Sequence, residues 1–128
     1  MKKEKIIITE IGKPDFTVAT ILSLFGDKRM GIHCYPKCFW INKLGDLCLK
    51  GEDPDDRGAK FLLDSFVRNE SEIIENRIMA LCYLFVLKSE NEEIKKGLQS
   101  FQEDEKNKDI FTKADVMVEA YFRHEELL

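Results

Sequence analysis

The sequence predicts an all-α protein built from stacked helix pairs, and three observations carry that prediction. Apolar residues recur in a three-and-four rhythm, as in Phe61, Leu62, Leu63, Phe66 and then Ile74, Ile78, Leu81, Leu84, Phe85, which places one face of each helix against a neighbour. The pattern repeats: Leu44, Leu81 and Val118 share a position, as do Leu47, Leu84 and Tyr121, and Cys48, Phe85 and Phe122, at a period of about 37 residues, the length of a two-helix repeat. Between the helical runs stand turn sequences such as "GEDPDD" that stop one run and start the next.

Taken in order, the first dozen residues pull in two directions. Ile6, Ile7, Ile8 and Ile11 have the β-branched composition of a strand. Yet "EIGKPD" occupies the place that "KGEDPD" holds at the end of a later helix, and this repeat phase predicts a truncated leading helix. First helices are then expected over residues 15–25, 55–67 and 91–102, and second helices over 36–49, 71–88 and 109–126. Grouped, these make units near 13–50, 54–88 and 91–126 of a single domain spanning 1–128.

Local chemistry fits these starts. Asp15, Asp55 and Asn91 offer short side-chain acceptors to the free N–H groups of a first turn. Pro14 and Pro54 sit in the turns, where a missing N–H costs little. Near the start of the central second helix, Glu72 and Glu75 favour its positive end. That helix is apolar on nearly every side, so it belongs in the middle of a stack, covered on both flanks.

The turns "EIGKPDFTVATIL" and "KGEDPDDRGAKFLL", set before antiparallel Leu-rich helices, resemble the signature between units of the HEAT repeat family, in its bacterial PBS-lyase-like variety. The third turn, "KSENEEIKKGL", lacks the Gly and Pro, and the family's small residue in the second helix is present as Ala80 but replaced by Lys43 and Met117 in the flanking units. The resemblance implies a right-handed α-solenoid whose second helices line a concave surface, and binding of proteins along it. Some members of such families resemble bilin lyases or DNA glycosylases, activities that a fold alone does not transmit.

Charge narrows the classes of partner. Lys and Arg number 20 against 24 Asp and Glu, a formal charge of −4, with no basic stripe to neutralise phosphates, which argues against nucleic acid. The longest apolar run, "ALCYLFVL", falls far short of the ~20 residues that span a bilayer. A cytoplasmic protein is the expectation, with its four cysteines acting mainly as small apolar fillers.

The cluster "HCYPKCFW" brings His33, Cys34 and Cys38 together, with Cys48 downstream. Paired metal-ligand spacing is missing, and no base or third member can be nominated for thiol catalysis. No metal, cofactor or catalytic residue is therefore predicted. The stronger candidate is the second-helix face opposite the Leu ladder, where protein-binding residues are expected at Phe39, Trp40, Lys43, Asp46, Arg77 and Tyr83. The same face carries Lys50, Asn76, Met79, Lys113, Val116 and Ala120. Trp, Tyr and Arg most often dominate interface energetics, although Trp40 and Tyr83 also have the size to pack between helices.

The expected function is a non-enzymatic protein-binding or adaptor module. Its rivals are a small enzyme with thiol or glycosylase-like chemistry and an inhibitor or immunity-type protein that occludes one partner. Leu127 and Leu128 at an apolar chain end point to self-association as a further option.

Overall fold

The computed structural model describes the backbone of residues 7–9, 13–26 and 36–127, and the side chains of 16–25 and 36–120. Among these the chain is all-α in class, with six α-helices and one short strand pair. Strand β1, Ile7–Thr9, pairs antiparallel with β2, Lys13–Asp15, placing Ile8 opposite Pro14. The truncated leading helix expected there is therefore corrected. β-branched propensity in the Ile run prevails over repeat phase, because a strand needs only the turn and its partner to form.

Helix α1, Val18–Gly26, begins after Thr17, whose Oγ1 accepts the Thr20 N–H at 3.1 Å. Asp15, the expected cap, lies in β2 instead. Helix α2, Lys37–Leu49, buries Trp40, Ile41, Leu44 and Cys48, an i, i+4 stripe on one face. Gly51 then turns the chain at φ 77°, a conformation that glycine adopts without strain.

The "GEDPDD" turn does its work through Asp53 rather than Asp55. Asp53 Oδ1 accepts the Gly58 N–H at 2.6 Å and Oδ2 accepts the Ala59 N–H at 3.0 Å, which satisfies the first free donors of the next helix. Asp55 and Asp56 both take left-handed backbone angles, within a 3-10 turn at Pro54–Asp56. Helix α3, Arg57–Phe61, passes directly into a π-helical turn, Leu62–Val67. The wider turn carries Leu62, Leu63, Phe66 and Val67 into the core, all 3% exposed or less.

Helix α4, Ile74–Leu87, ends at Lys88 in the left-handed region. Asn91 caps α5, Glu92–Glu103, accepting N–H groups of Glu93 and Ile94 at 2.9 and 3.2 Å, as its position in the sequence predicts. A 3-10 turn at Glu105–Asn107 leads into α6, Lys108–Leu127. Buried Asn107 ties this turn down by donating to the Phe101 carbonyl at 3.1 Å.

Packing follows from the composition of α4. It lies against α2 on one side, α6 on the other and the π turn behind, so Ala80, Leu81 and Leu84 are at most 1% exposed. Each buried Leu contributes about 1.5–3 kcal/mol relative to exposure. Helices α1 and α3 meet through Phe25, whose ring lies 5.0 Å from that of Phe61 and 5.7 Å from that of Phe66. The first pair is tilted and the second edge-to-face, and aromatic contacts of this kind add to the burial itself.

Two contacts fix α4 to α2. Glu72, just before α4, accepts from Lys37 Nζ at 3.1 Å and from Asn76 Nδ2 at 2.7 Å, with its side chain only 5% exposed. Farther along, the ring of Tyr83 lies directly over Gly45, where any Cβ would collide with it. Tyr83 Oη donates to Asn42 Oδ1 at 2.7 Å. The absence of a side chain at position 45 thus sets how closely the two helices approach.

Burial alone would raise the Glu72 pKa, but the hydrogen bonds from Asn76 and Lys37, with the Lys37 charge, outweigh it and hold the carboxyl below its ordinary value. A depressed folded pKa gives stability that is present above the unfolded value and lost as pH falls through the folded one. We expect Glu72→Gln to cost about 1–3 kcal/mol at pH 7, and the difference from wild type to shrink in acid, as read by urea denaturation at pH 7 and pH 3. Gly45→Val should cost about 1–3 kcal/mol by overpacking. Adding Tyr83→Ala to it should recover part of that loss, a coupling that a double-mutant cycle measures.

Candidate functional site

Helices α2, α4 and α6 lie side by side, and the face they share away from the core holds a groove of about 630 Å³. Its position follows from α4. Three sides of that helix are covered, and the stripe Glu75, Ile78, Met79, Cys82, Tyr83 and Val86, at three- and four-residue spacing, faces the groove. Asp46 and Leu49 of α2 form one wall, and Met117 and Val118 of α6 form the other.

Of the six residues expected at a binding face, Asp46 and Tyr83 line this groove. Trp40 and Arg77 do not. Trp40 is 2% exposed and packs edge-on against Phe16 at 5.4 Å and Phe39 at 4.9 Å. Arg77 is 7% exposed, its Nε donating to the Val67 carbonyl at 3.1 Å while its guanidinium lies 5.8 Å from the Phe101 ring centre. The two share an aligned position in the repeat, and that position faces the first-helix layer, so both serve the core.

Phe39 is half-buried against Trp40, and exposed Lys43 sets its ammonium 5.6 Å from the Phe39 ring centre. These two stand near the start of α2, outside the groove lining. Met79, which the sequence places on the same face, lines it too, and Leu49, Glu75, Ile78, Cys82, Val86, Met117 and Val118, which the sequence reading does not assign to a binding face, complete the lining. Their helical spacing was visible. On a helix apolar all round, spacing does not tell which stripe stays uncovered.

The wall residues are exposed in a way that core residues are not. Leu49 is 42% and Met117 54% exposed; Val116 on α6, at 58%, and Ile74 on α4, at 47%, are exposed apolar side chains outside the lining. Exposed apolar side chains gathered along a groove, as Leu49 and Met117 are, mark an interaction site more often than singly scattered ones do.

The thiols divide by environment. Cys48 is buried, and burial together with the Asp53 carboxylate beside it pushes its pKa far up, while its Sγ donates to Asp53 Oδ2 at 3.3 Å. Cys82, half-buried in the groove wall, is pushed up to about 11 by burial, and its Sγ donates to the Ala114 carbonyl at 3.7 Å. A thiol held protonated is a poor nucleophile. Cys38 is free and half-buried, whereas His33 and Cys34 of the candidate metal or thiol cluster lie outside the described residues. Among the described residues no three His, Cys, Asp or Glu side chains converge as a metal site, and no helix is long and apolar enough to cross a membrane.

Comparison with family models, with curated proteins and with solved structures finds no match. The groove is accordingly interpreted from its own geometry. Its lining combines apolar side chains, the flexible Met79 and Met117, and the acidic Asp46 and Glu75.

Since Cys82 is held protonated by burial, its alkylation by iodoacetamide should be slow at pH 7 and rise about tenfold per pH unit towards its pKa. Peptide mapping across pH 7–9.5, with helicity followed by circular dichroism, measures this directly. A fast, pH-independent reaction would contradict the assigned environment.

Proposed function

We propose that the chain is a non-enzymatic protein-binding module, a short HEAT-like α-solenoid that holds a segment of a partner protein against the α2, α4 and α6 face. The observation that carries this reading is the apolar groove of about 630 Å³ running across three helices from different pairs. Stacked helix pairs present extended ordered surfaces because each pair is stabilised by its neighbours. The succession α2, α4, α6 on one side, with α1 meeting α3 and the π turn meeting α5 on the other, supports a stacked arrangement of this type.

The lining favours binding over chemistry. Cys82 is held protonated by burial, the form least suited to nucleophilic attack, and the rest of the lining is mostly apolar. Free thiols at Cys38, Cys48 and Cys82 suit a reducing, cytoplasmic setting.

Met79→Glu tests the reading, because it sets a charge at the centre of the groove, where a docking apolar group would have to desolvate it. Immobilised wild type should retain a protein whose binding protects Cys82 from alkylation. The variant, if its circular dichroism is unchanged, should lose at least about tenfold of that retention, or roughly 1.4 kcal/mol. Equal retention, or a retained protein that leaves Cys82 unprotected, would remove the groove from the hypothesis.

A further inference from the structure

The side chains that line the groove describe its occupant more closely. We propose that it receives a single amphipathic α-helix of a partner protein, with basic side chains about two turns apart beside an apolar stripe. This rests on the groove being a protein-binding site. Seating a helix's apolar face in a hydrophobic groove is a recurrent mode of recognition, with anchors at i, i+3 or i+4, and i+7. Ile78, Met79, Val86, Met117 and Leu49 supply the apolar receiving surface, and the flexible thioethers of Met79 and Met117 adapt to anchors of different shape.

The polar component has one sign. Among the described residues, the charged side chains of the lining are Asp46 and Glu75, both exposed. Their separation follows from the packing of α2 on α4: Tyr83 covers Gly45 and donates to Asn42, so Asp46 lies at the level of Tyr83. Glu75 stands roughly two turns earlier on α4, about 12 Å along the axis. On a helix lying along α4, residues at i and i+7 or i+8 span the same distance and would bring Lys or Arg to both carboxylates.

Neighbouring basic groups leave that pairing open. Lys50 approaches Asp46 only to 3.9 Å, with both side chains at least 60% exposed, an arrangement that contributes little and yields to a better-placed guanidinium. On α6, Lys113 is held by Asp109 at 3.1 Å, outside the lining. A second copy of this chain offering its own exposed α6 stripe would bring Asp115 and Glu119, which flank Val116 and Met117, against the acidic rim. Like charges disfavour that occupant.

The test uses two fluorescently labelled synthetic helical peptides that share one Leu and Met stripe. One carries Arg at the two flanking positions, two turns apart, and the other carries Glu there. Fluorescence anisotropy at physiological salt should show the Arg peptide binding wild type at least about tenfold more tightly than the Glu peptide. The pair Asp46→Lys, Glu75→Lys should reverse that order, and Met79→Glu should abolish binding of both. Met117→Glu, at a position 54% exposed, gives a second groove variant that folds even if Met79→Glu does not.

Equal binding of the two peptides, lost in the groove variants, would overturn the basic-helix assignment while leaving the protein-binding groove intact. Failure of both peptides to bind wild type would overturn a helical occupant, with the groove still judged by partner retention and Cys82 protection. Arg-peptide binding that survives both Met79→Glu and Met117→Glu would be surface electrostatics and would overturn the assignment as well.

Discussion

The structure turns on the need to cover α4. Its residues are apolar nearly all round, and a helix of that kind is stable in water only when neighbours remove most of its surface. Helix α2, helix α6 and the π turn cover three sides, which brings Ala80, Leu81 and Leu84 to almost complete burial. The fourth side is left partly open. The fold and the candidate site are thus two consequences of one constraint, since the stripe that covers the core and the stripe that lines the groove belong to the same helix.

How closely α2 approaches α4 decides the shape of what remains. Gly45 lets the Tyr83 ring lie on the α2 backbone, and the hydroxyl of that ring reaches Asn42. At the other end, the buried carboxylate of Glu72 accepts charge-assisted hydrogen bonds from exposed Lys37 and from Asn76. A clamp at each end keeps the two helices aligned, so Asp46, Leu49 and the α4 stripe stay in register along the groove. Rigidity of this kind lowers the ordering cost of binding.

Much of the helical plan was legible in the sequence because it depends on local rules. Apolar spacing placed all six helices, and Asn91 was recognisable as a cap from its side chain alone. Other features depend on partners that a linear pattern does not name. Asp53, Asp55 and Asp56 are chemically alike in the "GEDPDD" turn, but only Asp53 sits where its carboxylate reaches Gly58 and Ala59. The π turn at Leu62–Val67 adds to the helix without breaking its apolar rhythm, so nothing in the spacing announces it. Trp40 and Arg77 are interface-prone residue types used in the core, each satisfied by neighbours distant in sequence, such as Phe16 and Val67. Asp46 and Tyr83 line the groove, but Tyr83 also packs between α4 and α2 over Gly45, a double use that spacing alone does not reveal.

The groove's chemistry also bears on the thiol in its lining. Cys82 lies in the wall, where low polarity holds it protonated and its Sγ is tied to the Ala114 carbonyl. A nucleophile needs the opposite environment, with a base or a positive charge that favours the thiolate. The same low polarity that disables the thiol strengthens apolar contact and sharpens any charge pairing at the rim, because solvent is excluded once a partner is seated. On the proposed reading, an apolar floor between two separated carboxylates would select by shape and sign together. On the same reading that combination suits recognition of a partner's surface, with the Cys82 thiol held in the form least suited to attack.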